Sequence, residues 1–114
     1  MTLNINVVVE EKPKVYKTVQ EFFDAYPTSY GNSVRPHVKC KDGTMLSIQA
    51  SSGHYCRPRQ DNATEYTHVE LMSSPRIWCL RKQYAGDVYA MVSVETMNRI
   101  IKRHGYIIEV KERK

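Results

Sequence analysis

Apolar residues recur at every second position in several short segments, which is the spacing of a β-strand with one buried face. This alternation predicts strands over 3–9, 34–40, 46–50 and 67–71. Two short apolar runs predict further strands at 88–92 and 106–110. The run at 77–80 fits either a strand or a helical turn, since it is too short for its period to decide.

Two segments carry the signals of helices. Thr18 and Glu21 form a capping box, and Pro27 ends the helix that follows. The apolar face of this helix consists of Val19, Phe22, Phe23 and Tyr26. The second helix begins after Ser93 as N-cap and ends before Gly105 as the C′ residue. Its apolar face consists of Val94, Met97, Ile100, Ile101 and His104.

The turn after the second strand follows from the register of the apolar faces. A three-residue loop, Lys41-Asp42-Gly43, places Val38 opposite Leu46, whereas a two-residue loop would pair an apolar residue with a polar one. The longer loop is typical of a type I turn followed by a bulge, with Gly43 in the left-handed region. We therefore expect a tight antiparallel hairpin here.

Together these elements predict an α+β fold, with a mostly antiparallel sheet and two helices. The 114 residues fit one domain, 1–114, with a solvated basic tail at 111–114. The polar segment 51–64 has no predicted helix or strand, and ordered loops of this length are often functional.

Charge is distributed unevenly along the chain, whose formal net charge is +5. Residues 35–59 hold five basic side chains against Asp42 alone, and 60–72 hold only acidic ones. A basic balance favours an acidic partner, either nucleic acid or protein. Three cysteines without regular spacing favour reduced thiols and a cytoplasmic setting. No segment has the length and apolarity of a membrane span, and no signal peptide is apparent.

The stretch best suited to binding is 54–59, within the long loop, because it combines aromatic and basic side chains. Tyrosine and arginine are enriched at binding hot spots. The alternative is structural, with Arg57 or Arg59 paired to Asp61 or Glu65. The candidate binding residues, two of which lie on the neighbouring predicted strand 34–40, are Arg35, Lys39, His54, Tyr55, Arg57 and Arg59.

Two chemical alternatives have weaker support. A zinc site would need His37, Cys40, His54 and Cys56, whose spacing matches no common structural pattern. A thiol nucleophile would need Cys56 beside His54 or His68, oriented by Glu70. We therefore predict no catalytic residue, no metal ligand and no cofactor.

Two long segments carry a distinctive pattern, one with K-D-G and Y-C-R-P-R between Cys40 and Arg59 and one with V-Y-A-M-V-S-V-E from Val88. They resemble a group of small phage and prophage proteins. In the first, C-K-D-G-T-M-L-S-I-Q-A-S-S-G-H-Y-C-R-P-R followed by Y-T-H-V-E-L is similar to the group's K-D-G, S-V-Q-A-S, Y-C-x-P-R and V-E-V segments. In the second, V-Y-A-M-V-S-V-E-T-M-N-R-I-I-K-R-H-G is similar to a closing strand and a helix that ends in K-H-G. The resemblance implies phage origin without implying an activity.

Three classes of function are consistent with these observations. The first is a phage accessory protein in the cytoplasm of the infected bacterium, which binds a host protein as an inhibitor, a takeover factor or a target of host defence. The second is nucleic-acid or nucleotide binding through the basic aromatic loop. The third is a small enzyme. We expect the first, since the chain carries no catalytic constellation and resembles phage accessory proteins.

Overall fold

The computed structural model describes residues 15–29, 32–74 and 88–111. In these ranges the elements are α1 (Val19–Ala25), β1 (His37–Cys40), β2 (Met45–Gln49), β3 (His68–Ser74), β4 (Val88–Ser93), α2 (Val94–Arg103) and β5 (Ile107–Lys111). The predicted α+β class, with two helices and an antiparallel sheet, is confirmed. The strand expected at 3–9 and the run at 77–80 lie outside the described residues, as does the tail beyond Lys111, which itself ends β5.

The five strands form one sheet in the order β4-β3-β2-β1-β5, with antiparallel neighbours throughout. Strands β1 and β2 form the predicted hairpin, in which Val38 lies opposite Leu46. Cys40 donates its backbone N–H to the carbonyl of Thr44. Gly43 has a φ of +93°. The three-residue loop is therefore confirmed in register and in conformation.

One face of the sheet is covered by the two helices. The alternate strand residues Val38, Leu46, Ile48 and Val69 are almost fully buried against the helices' apolar side chains. Most of the intervening residues on the opposite face, such as Met72 on β3, are half-buried or exposed, whereas Gln49 at the end of β2 is buried. This opposite face is called the outer face below.

Local capping explains where the helices begin. The hydroxyl of Thr18 accepts a hydrogen bond from the N–H of Glu21, and that of Ser93 accepts from Thr96. The Glu21 carboxylate accepts from the N–H of Lys17, one residue before the cap. The N–H of Val19 donates to the side chain of Asn98, which joins the start of α1 to α2.

The connection between β4 and β5 crosses the whole sheet. Strand β4 lies at one edge, β5 lies at the other, and α2 follows β4 directly. The helix packs on β3, β4 and α1 as it crosses. Gly105 then turns the chain into β5 with a φ of +89°, as expected for a C′ glycine. Neither helix of the described ranges is long and apolar enough to cross a bilayer.

Candidate functional site

The loop that joins β2 to β3 is held by hydrogen bonds to its own backbone. The fully buried hydroxyl of Ser51 contacts Nδ1 of His54 at 2.6 Å and accepts from the N–H of Gly53 at 3.1 Å. The thiol of Cys56 donates to the carbonyl of Ser51 at 3.2 Å. Tyr66 donates its hydroxyl to the carbonyl of Gln60. These contacts give the loop a defined shape without regular secondary structure.

The middle of the loop is fixed to the outer face of the sheet. The N–H of Tyr55 donates to the carboxylate of Glu70 at 3.3 Å. The carbonyl of Tyr55 accepts from the N–H of Met91, a residue of β4 with a φ of +56°. Arg57 pairs with His68 at the start of β3 through its backbone. The loop therefore continues the line of β2 beyond Gln49, beside β3.

Two exposed arginines, Arg57 and Arg59, follow Tyr55 on this loop. The guanidinium of Arg59 lies 5.1 Å from the centre of the Tyr55 ring, and its Nε donates to the carbonyl of His54 at 3.0 Å. Such an arrangement is a favourable cation–π contact. The Arg57 side chain is exposed and forms no hydrogen bond or ion pair with any described residue.

The structure does not contain the alternative arrangement, in which these arginines pair with acidic residues further along the loop. Neither forms an ion pair with Asp61 or Glu65. Asp61 instead accepts hydrogen bonds from the N–H and hydroxyl of Ser52, at 3.0 and 3.3 Å. Tyr55 is 39% exposed, whereas the adjacent Cys56 is fully buried. The ring and the two cations are thus presented outward by a buried anchor.

The expectation that Arg35 lies on an exposed strand face is wrong. Its side chain is only 3% exposed, and it donates to two backbone carbonyls of the interior. The reason is that β1 begins at His37, after Pro36, so the alternation read over 34–40 does not extend to Arg35. Burial lowers the pKa of Arg35, although a guanidinium remains charged at any ordinary pH.

Lys39 lies on the outer face, but at the other end of β2 from the loop. It is paired with Met45, the first residue of β2, whereas the loop begins after Gln49, the last. Four residues of strand correspond to about 13 Å. The expected grouping of Lys39 with the loop arginines on one contact surface therefore stays a prediction, with Lys39 opposite the first residue of β2.

The structure adds two apolar side chains that sequence reasoning missed. Met72 is 45% exposed and Met91 is 36% exposed. Met91 is bonded through its backbone to Tyr55, and Met72 lies two residues along β3 from Glu70 on the same face. The sequence signal for Met72 is the alternation of Val69 and Leu71, which places the residue after Leu71 on the opposite face of the strand. We define the Tyr55 surface as His54, Tyr55, Arg57, Arg59, Met72 and Met91.

The groups imagined as a nucleophile and its base do not contact one another. Burial raises the pKa of the Cys56 thiol, which bonds to backbone carbonyls rather than to an imidazole. His54 is bonded to Ser51, His68 to the Thr67 hydroxyl, and Glu70 to the N–H of Tyr55. Across the described ranges, no three histidine, cysteine or acidic side chains gather in a way that could hold a metal ion.

Comparison with known proteins adds no relative. No family model, no curated protein and no solved structure matches the chain.

Proposed function

We propose that this chain is a small phage-encoded accessory protein that binds a host protein in the bacterial cytoplasm, using the Tyr55 surface. The observation that carries the proposal is the outward pair of Tyr55 and Arg59, with ring and guanidinium 5.1 Å apart on an anchored loop. The resemblance to phage proteins supports the setting, and its Y-C-x-P-R segment coincides with this loop.

The geometry favours binding because the loop is ordered before any partner arrives. Backbone contacts to Glu70 and Met91 fix Tyr55, and the hydrogen bond to His54 orients Arg59. A preorganised surface loses less conformational entropy on association than a mobile one. Tyrosine, arginine and methionine are also enriched in interfaces. We infer that the partner presents an apolar patch bordered by carboxylates, which complement Arg57 and Arg59.

The nucleic-acid alternative rests on the same loop, because exposed arginines beside a tyrosine ring suit phosphates and a stacked base. With Arg35 buried and Lys39 displaced, Arg57 and Arg59 are the two strong cations of this surface. Two phosphate contacts provide little of the electrostatic affinity on which such binding depends. We therefore rank protein binding first.

Capture from lysate of a bacterial host tests the proposal directly. The tagged protein is expected to retain a specific host protein after nuclease treatment. A Tyr55→Ala, Arg57→Glu variant should reduce that capture at least tenfold, since truncation of a hot-spot residue alone costs about 2 kcal/mol or more. Arg59 is left unchanged, because its Nε also supports the loop backbone.

The matched control is Lys102→Glu on α2, which makes the same charge change as Arg57→Glu on an exposed site away from the loop. It should capture the partner like the wild-type chain. Equal capture by the loop variant and the control, or loss of all capture after nuclease treatment, would contradict protein binding at the Tyr55 surface.

A further inference from the structure

The buried guanidinium of Arg35 contacts three separate segments of the chain. Its Nε donates to the carbonyl of Tyr26 at 2.7 Å, at the end of α1. One Nη donates to the carbonyl of Ala50 at 2.6 Å, and the other to Oδ1 of Asn62 at 3.3 Å. Ala50 is the first residue of the β2–β3 loop, and Asn62 lies in its second half. One side chain thus joins the start and the second half of the loop to a helix.

Asn62 extends this junction to the residue that follows Pro27. Its Oδ1 accepts from the N–H of Thr28 at 2.9 Å and from the Thr28 hydroxyl at 3.2 Å. Its Nδ2 donates to the carbonyl of Thr28 at 2.8 Å. Asn62 has a φ of +51°, a conformation that asparagine tolerates better than most residues. The second half of the loop is therefore bonded to the α1 segment as well as to Arg35.

The backbone of Arg35 is held as firmly as its side chain. The amide of buried Gln49 accepts from the N–H of Arg35 at 2.8 Å and donates to its carbonyl at 2.9 Å. The Phe23 ring lies 4.0 Å from the guanidinium carbon and packs against its face. Arg35 is thus fixed at both its main chain and its charged head, between α1 and the last residue of β2.

The charge of Arg35 is compensated by hydrogen-bonded dipoles, and the carboxylate of Asp61 adds an electrostatic attraction. No carboxylate of the described residues forms an ion pair with it. Burial of a cation costs desolvation free energy, and that cost is offset only where the buried group makes well-formed hydrogen bonds. The planar fork of a guanidinium reaches three acceptors in different directions, which the single ammonium of lysine does not.

We propose that Arg35 is the positioning residue of the Tyr55 surface: it sets the separation and orientation of the start and the second half of the loop that carries Tyr55, Arg57 and Arg59. This inference rests on the proposed function for its biological meaning. The loop order that it describes is measurable without a partner.

The test uses Arg35→Met, which keeps an unbranched side chain against Phe23 and removes all three donated hydrogen bonds. The thiols of Cys56 in the loop and Cys40 in β1 are both fully buried, so their labelling by N-ethylmaleimide is read residue by residue after proteolysis. We expect the ratio of Cys56 to Cys40 labelling rates to rise at least tenfold. Amide exchange should increase over 51–62 and change less than twofold over 38–49.

Two further variants separate positioning from general destabilisation. Ile101→Val shortens a fully buried side chain of α2, outside the loop in sequence, and removes none of the hydrogen bonds of Arg35, so it should lower stability and leave the labelling ratio unchanged. Arg35→Lys keeps the charge but not the fork, and its ratio should stay within threefold of that of Arg35→Met. Restoration of the wild-type ratio by lysine would overturn the proposal, as would an unchanged ratio in Arg35→Met.

If Arg35→Met does not fold, Asn62→Gly tests the same junction from the other side, since glycine accepts the positive φ and removes the Oδ1 acceptor. Its labelling ratio should rise by at least threefold, and an unchanged ratio would overturn the proposal. Host-protein capture is measured separately. A wild-type chain that captures nothing refutes the proposed function, whereas the labelling ratios decide the role of Arg35 in either case.

Discussion

The imidazole of His104 lies between the hairpin and the second helix, with its Nδ1 2.5 Å from Oδ2 of Asp42. Oδ1 of the same carboxylate accepts the N–H of Thr44 at 3.0 Å, which closes the β1–β2 turn. The N–H of Asp42 in turn donates to the carbonyl of His104 at 3.2 Å. Asp42 therefore shapes the hairpin turn and also attaches it to the C-terminal end of α2.

This pair predicts a pH dependence of stability at acid pH. The hydrogen bond from His104, followed by those from Thr44, lowers the pKa of Asp42 from its ordinary value of 3.8 to about 2. Since the folded-state pKa is the lower one, the contribution is present above pH 3.8 and is lost as the pH falls towards 2. The side chain is 47% exposed, so screening reduces the contribution to about 1 kcal/mol.

Asp42→Asn should therefore lower the free energy of unfolding at pH 6 by about 1 kcal/mol, measured by urea titration. The difference from the wild-type chain should shrink below pH 4 and disappear near pH 2. Glu65→Gln, at an exposed carboxylate without a described partner, serves as control and should show no such difference. A constant deficit from pH 6 to 2 would argue against the ionised carboxylate as its cause.

Alanine substitution at Gly43 and Gly105, the two glycines of the described residues with positive φ, distinguishes the cost of backbone strain from the cost of steric crowding. A Cβ on Gly105 would lie 2.7 Å from Cβ of Lys41, whereas a Cβ on Gly43 would meet nothing within 4 Å. Both glycines have a φ close to +90°, so alanine should cost about 1–2 kcal/mol at each from conformation alone. Gly105→Ala should lose measurably more stability than Gly43→Ala. Equal losses would mean that Lys41 and the hairpin turn move away from the new Cβ at position 105 without a cost in stability.

The surface charges limit how nucleic acid could bind to the loop. If the chain binds duplex DNA through Arg57 and Arg59, the slope of log affinity against log salt should be about −2, because about two phosphates are neutralised. Arg57→Glu should bring that slope closer to zero, and Lys102→Glu should not. A slope of −5 or steeper in a mobility-shift titration would place nucleic-acid binding on a different surface.

Cys56 should behave as a structural thiol. Because burial raises its pKa, the wild-type residue should react with iodoacetamide at pH 7.5 much more slowly than a free thiol, whose pKa is about 8.5. Cys56→Ser should fold, since the carbonyls of Ser51 and Pro58 accept a hydroxyl as they accept the thiol. Capture of a partner by this variant should equal that of the wild-type chain. A folded Cys56→Ser chain that loses its biological activity would indicate thiol chemistry instead.

Local rules predicted those parts of the fold that depend on near neighbours in sequence. The register of Val38 and Leu46 followed from the loop length, and the start and end of α2 followed from Ser93 and Gly105. These features need only a turn, a cap and an apolar face.

The site was less predictable, because its organisation depends on contacts between distant segments. Arg35 read as an exposed strand residue, yet its acceptors lie 9, 15 and 27 residues away. No local pattern reports which carbonyls will meet in the interior. Tyr55 was correctly expected in the surface loop, but Met91 joined it only because β4 lies beside β3 and bulges at that point.

The position of β5 has a consequence for the chain during its synthesis. β5 pairs with β1 at separations of about 70 residues, and it is the last element of the described chain to be translated. Until β5 arrives, one side of His37–Cys40 lacks the strand that covers it in the finished sheet. An uncovered strand edge pairs readily with other chains. Truncated products that end before Ile107 should therefore associate with one another, and the five residues of β5 protect the fold against its own aggregation.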